Sequence, residues 1–145
     1  MTLKTLLFSA AVSLMSASVA LSATVDVFKD ANCGCCGGWI VHMQRSGFLV
    51  SATDVMHEEM DVLKEKAGIG SDLISCHTAF VEGYVIEGHV PAADVARLLA
   101  ERPDAIGLSV PGMPAGSPGM EGATAEPYDV LLIHKDGGTE VFASH

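Results

Sequence analysis

Thr24-Val25-Asp26-Val27-Phe28-Lys29 alternates apolar and polar residues, and Cys33-Gly34-Cys35-Cys36 follows almost at once. The alternation predicts a half-buried strand. Past Gly37-Gly38, the run Trp39, Ile40, Val41 and Met43 reads as a helix. The cysteines therefore fall on a strand-to-helix turn, at or just before a helix N-terminus. Backbone N–H groups and the helix dipole favour anions there, so thiol pKa values are expected to fall. Three low-pKa thiols on one turn point to a soft-metal site or to a thiol–disulfide site.

Beyond that turn, the first helix is expected to run to about Ser46, with Gly47 as its stop. Phe48 to Thr53 reads as a second strand. Asp54 is expected to cap a second helix whose buried face carries Met56, Met60, Leu63 and Ala67. Ala79-Phe80-Val81, the turn Glu82-Gly83, and Tyr84 to Glu87 read as a hairpin. Pro91 opens a third helix with Ala92, Val95, Ala96 and Leu99 as its buried stripe, and Pro103 ends it. The order β-α-β-α-β-β-α, with cysteines after the first strand, resembles the thioredoxin/glutaredoxin fold. Ile106 to Pro127 is rich in glycine and proline and is expected to be a long loop. Tyr128–His134 and Thr139–Phe142, joined by Lys135-Asp136-Gly137-Gly138, form a C-terminal β-hairpin.

A chain of 145 residues with nearly half of them apolar suits one domain with a real core. Residues 1–23 read as a signal peptide: Lys4 is the positive start, Leu6 to Val19 is apolar, and cleavage is expected near Ala23. Residues 24–145 are then the mature domain, exported to an oxidising compartment, with no membrane association once the signal is removed. The formal charge of −10 argues against nucleic acid as a partner. Two plain disulfides fit the cysteines poorly, because Cys35 and Cys36 are adjacent and a bond between neighbours is strained.

Cys33 and Cys36 have the spacing of thioredoxin-fold disulfide oxidoreductases, but Cys35 puts a third thiol between them. Thiolates are soft ligands that select Cu(I), with zinc and iron–sulfur clusters as alternatives. The fourth cysteine, Cys76, lies next to His77 where thioredoxin-like folds place a guarding proline. His89 follows a strand and precedes a helix; it is a ligand candidate or a solvated or capping residue. Met113 and Met120 lie in the Gly/Pro loop, as soft ligands or as gap-fillers. His42, His57, His134 and His145 are expected at the surface.

Four segments, Cys33-Gly34-Cys35-Cys36, Ser75-Cys76-His77-Thr78, Glu87-Gly88-His89-Val90-Pro91 and Pro111–Met120, occur in the order found in uncharacterised-domain family 411, and the whole mature chain resembles that family of exported metal-binding proteins. The resemblance implies a thioredoxin-like fold, copper bound by the cysteines, and a role in periplasmic copper tolerance through copper redox chemistry. The resulting reading is a periplasmic protein that binds Cu(I) through Cys33, Cys35, Cys36 and Cys76, with His77, His89, Met113 and Met120 as auxiliaries. Its partners would be copper ions and other periplasmic copper-handling proteins. More than one ion is expected, since four thiolates carry four charges and no lysine or arginine stands beside them in sequence. The rivals are a thiol–disulfide oxidoreductase using Cys33 and Cys36, and a small disulfide-stapled structural domain.

Overall fold

In the computed structural model, residues 22–122 and 124–145 are described. Most of the expected signal peptide lies outside them. The elements are β1 (Thr24–Lys29), α1 (Gly34–Arg45), β2 (Leu49–Asp54), α2 (His57–Lys66), β3 (His77–Val81), β4 (Tyr84–Glu87), α3 (Ala92–Glu101), β5 (Ala105–Ser109), β6 (Asp129–His134) and β7 (Thr139–Ser144). The described residues are thus mixed α/β, with three helices and one seven-stranded sheet in the order β2-β1-β3-β4-β5-β6-β7. β1 runs parallel to β2 and antiparallel to β3, β3 and β4 form a hairpin, and β5 runs parallel to β4. β5, β6 and β7 are successive antiparallel neighbours.

Strand alternation sorts side chains onto two faces. Val25, Val27, Ala79, Val81, Ile86, Leu108, Val130 and Leu132 meet Trp39 and Met43 of α1 and Val95 and Leu98 of α3. On the other face Phe80, Val85, Leu131 and Ile133 meet Ala67, Ile69 and Leu73 at and beyond the end of α2. The larger cluster takes in Trp39 and Met43, so it seats α1 on the sheet.

Several expectations change. Asp54 does not cap α2. It ends β2, in register with Lys29, whose ammonium it binds at 2.6 Å. Met56 is the N-cap instead, its N–H donating to Glu59 Oε2 at 3.1 Å. The side chain of Met56 is exposed, while Met60 and the charged Lys64 are buried. In α3 the buried positions are Ala92, Asp94, Val95 and Leu98, and Ala96 faces out. The stretch read as one loop from Ile106 contains most of β5. Glycine content argues against a strand there, but Gly107 is needed: a Cβ on it would strike the Val85 backbone on the neighbouring strand. The irregular segment proper begins at Val110.

Candidate metal centre

Cys33 is the N-cap of α1, and Cys35 and Cys36 lie in its first turn. Cys33 carries no side-chain cap hydrogen bond, and no acidic residue lies in that turn. The positive helix end therefore faces sulfur. Cys33 and Cys36 are joined as a disulfide, with Cα atoms 5.3 Å apart, while Cys35 and Cys76 are free thiols. Cys76 stands immediately before β3, which pairs with β1, so its thiol meets the turn although it lies forty residues from Cys36. Its sulfur is 3.5 Å from that of Cys36 and 3.8 Å from that of Cys35, and Cys35 is 3.5 Å from Cys33. All four sulfurs lie within 4.8 Å of one another.

A second set of donors adjoins the first. His89 Nε2 is 2.9 Å from Cys76 Sγ, and His77 Nδ1 is 3.4 Å from it. His89 Nδ1 lies 2.7 Å from the Pro118 carbonyl, which can only accept, so Nδ1 carries the hydrogen of the neutral ring. Nε2 then presents its lone pair to the thiol, the arrangement by which a metal-binding histidine is oriented through its other nitrogen. His77 is fully buried against Trp39, with ring centroids 4.5 Å apart, and its Nε2 has no partner. Among the loop methionines, Met113 is brought to the site, with Sδ 3.9 Å from Cys35 Sγ. Met120 is not placed beside the thiols by any such contact; its backbone closes a turn with Gly116 and Ser117.

Four sets of long-range contacts fix this geometry. Gly88, at φ +73°, turns the chain from β4 into His89, and a side chain there would collide with Ser75. Trp39 Nε1 donates to the Val90 carbonyl at 2.8 Å, tying α1 to the His89 segment. Gly119 rests on the start of α1: a Cβ on it would lie 2.5 Å from the Cys35 carbonyl and 2.7 Å from Trp39 N. That close approach is what brings the neighbouring Pro118 carbonyl under His89. Ser75 Oγ donates to the Gly112 carbonyl, and Gly112 N–H to the Ile74 carbonyl, so the Met113 loop is stitched beside Cys76.

The expectation of low thiol pKa values concerns the cysteine turn, and Cys76, which lies outside that turn, follows a different rule. Burial, reinforced by the neighbouring Cys35, pushes the Cys76 thiol up to about 12. Cys76 lies outside the helix, so desolvation wins over the dipole. Burial, with His89 and Lys64 nearby, takes His77 down to about 3, and burial also lowers His89. Both rings are held neutral at pH 7, the form that binds metal.

Some residues that shape the site were not singled out from sequence. His42, expected at the surface, is half-buried and accepts the Ala92 N–H on Nε2 at 3.0 Å, capping α3 just beyond the His89 segment. Burial lowers its pKa. His145 is not a bare surface residue either: it binds Asp94 at 2.8 Å and stacks on Tyr128. Lys64 and Glu87 form a buried pair behind Cys76. The one available signal was Lys64 itself, four residues after Met60 on the buried side of α2.

No curated protein sequence matches the chain. A family model described as "Protein of unknown function, DUF411" matches residues 73–120, the span that carries Cys76, His77, His89 and Met113. Two solved structures match more broadly, both of copper resistance protein CopG, in forms 1 and 2. They superpose with TM-scores of 0.81 and 0.80 at 42% and 43% identity, covering 86% of this chain and 98% and 99% of theirs. With the cysteine turn, Cys76 and the Gly/Pro loop all inside one related fold, the chain belongs to the DUF411 family of CopG-like copper-resistance proteins.

Proposed function

We propose that this is an exported, thioredoxin-like protein of copper resistance that binds Cu(I) through Cys33, Cys35, Cys36 and Cys76 once the Cys33–Cys36 disulfide is reduced. The observation that carries this reading is the gathering of four sulfurs within 4.8 Å of one another, with an oriented imidazole nitrogen 2.9 Å from one of them. That donor set fits a soft ion: thiolate and thioether select Cu(I), and neutral imidazole also accepts copper. The sheet order β2-β1-β3-β4, with its one parallel and two antiparallel pairings, supports the thioredoxin-like assignment. The apolar leader supports export to the periplasm, and the names of the two CopG relatives support the role in copper resistance. No helix among the described residues is long and apolar enough to cross a membrane.

The disulfide sets the order of events. Two electrons and two protons convert it to two thiols, and a dithiol is a suitable donor. Copper then displaces thiol protons. Four thiolates in one pocket carry four negative charges, and one Cu(I) offsets only one of them. Lys64, the buried lysine among the described residues, is already bound to Glu87. Bridging sulfur allows several ions to share the pocket, so the site holds more than one. His89 and Met113 complete it, and the buried, unpartnered His77 Nε2 lies behind Cys76.

A second reading has an observation of its own: Cys33 and Cys36 are disulfide-bonded at the spacing of a thiol–disulfide oxidoreductase. The free Cys76 thiol, 3.5 Å from Cys36, stands where an incoming substrate thiol would compete with it. The deciding experiment is an anaerobic Cu(I) titration of the reduced mature chain beside an insulin-reduction assay. Retention of more than one copper per chain without reductase activity is the expected result. Reductase activity with no copper retention would reverse the assignment.

A further inference from the structure

We propose that the Glu87 carboxylate, with Lys64 bound to it, is the positioning group of the metal site, holding Cys76 and His89 in place from the opposite face of the sheet. This rests on the copper-binding reading above. The Glu87 side chain is fully buried, and Lys64 is 4% exposed. Glu87 Oε1 accepts the Ser75 N–H at 2.7 Å and the Lys64 ammonium at 2.5 Å. Glu87 Oε2 accepts the Thr78 hydroxyl at 2.6 Å, and Lys64 also donates to that hydroxyl at 2.9 Å.

The sequence positions give these bonds their meaning. Ser75 and Thr78 bracket Cys76 and His77, so one carboxylate grips both ends of the ligand-bearing segment. Glu87 itself precedes Gly88-His89, so the same group anchors the strand from which His89 departs. Thr78 and Glu87 are cross-strand partners in the β3–β4 register. Alternation sends their side chains toward α2, while His77 packs toward α1 against Trp39. The clamp therefore touches no ligand atom, yet it fixes two ligand segments relative to each other.

Stability alone is a weak reason for such a pair. Exchanging a buried ion pair for apolar residues of similar size is often neutral or stabilising, whereas removing one partner strands a buried charge. Groups that orient metal ligands are worth about 10–100-fold in metal affinity. Glutamine at position 87 can still accept from Ser75 through its oxygen and meet Thr78 through its amide, so it serves as the conservative replacement; leucine can do neither.

The test compares the double variants Lys64→Met/Glu87→Gln and Lys64→Met/Glu87→Leu as reduced mature proteins. Cu(I) affinity is read by competition with a chromogenic Cu(I) chelator, and the His89 ring by imidazole ¹⁵N NMR of the metal-free protein. The glutamine variant is expected to keep the affinity and the His89 signal. The leucine variant is expected to lose about 10–100-fold in affinity and to shift that signal. A folded leucine variant with unchanged affinity and signal overturns the proposal, as does equal loss in both variants. Should the leucine variant not fold, Thr78→Val decides: weakened affinity with a shifted His89 signal supports the clamp, and unchanged values overturn it. If the unsubstituted chain takes up no Cu(I), the copper reading fails on that titration, and the clamp is judged on the NMR signal alone.

Discussion

Cys33, Cys35 and Cys36 are placed by a single helical turn, whereas Cys76 and His89 are placed by the rest of the molecule. The first half needs only β1, the turn and the start of α1. The second half needs β3 paired with β1, the turn at Gly88, the Trp39–Val90 and His89–Pro118 hydrogen bonds, and the Glu87 clamp. The contrast teaches that one half supplies donors in quantity and the other supplies their orientation. It also separates two sensitivities: the local half responds to oxidation, and the long-range half to packing and protonation.

The largest effect should come from oxidation. With Cys33 and Cys36 joined, two of the four thiols are withdrawn from the local half. The oxidised mature chain should therefore retain little Cu(I), and a dithiol reductant should restore uptake; the measurement is copper per chain by elemental analysis with and without reductant. Equal loading of both forms would remove Cys33 and Cys36 from the site.

Next comes Cys76→Ser, which takes the sulfur that joins the halves. It should lower the number of copper ions bound and leave the Cys33–Cys36 pair able to cycle. An anaerobic titration reads the first, and thiol counting with Ellman's reagent the second. An unchanged copper number would show that the local turn alone is the site.

The pH dependence sharpens the same comparison. Because the Cys76 thiol is pushed up to about 12, it is protonated across the neutral range, and copper must displace that proton. Apparent Cu(I) affinity should therefore rise with pH, by at most about tenfold per unit for each proton displaced. A pH series of chelator competitions with wild type and Cys76→Ser checks this, the variant having the shallower slope.

The metal-free chain has a separate acid sensitivity. The folded-state pKa of His77 is about 3, below its unfolded value, so the unfolded chain takes up its proton first as pH falls. The contribution of neutral His77 is fully present above the unfolded pKa and is lost as pH drops toward the folded one. Denaturant midpoints should fall between pH 6.5 and pH 4 by a larger amount in wild type than in His77→Phe.

The smallest effect is expected at the methionines. Met113→Leu should modestly weaken copper retention, because Met113 touches Cys35, and Met120→Leu should not. Both should change stability by less than about 1.5 kcal/mol, since leucine and methionine are close in volume. Equal copper retention in all three proteins would leave Met113 a packing residue.

The alternation in Thr24–Lys29, the clustering of three cysteines and the turn-forming glycines were legible from the chain alone because each acts over a few residues. That information is enough for the order of elements and for the soft-donor character of the turn. It was not enough for β5, where Gly107 serves a neighbouring strand that only the fold supplies, nor for Lys64, whose charge contradicts its place on a buried face until Glu87 arrives from β4. Asp54, a good cap by type, was drawn into β2 by its register with Lys29. Met113 and Met120 are alike in sequence and differ only in which one the loop lays beside Cys35. Donor chemistry resides in side chains and survives in a string of letters. Distances, burial and the tautomer of His89 arise from contacts between residues far apart in the chain, and those exist only once it has folded.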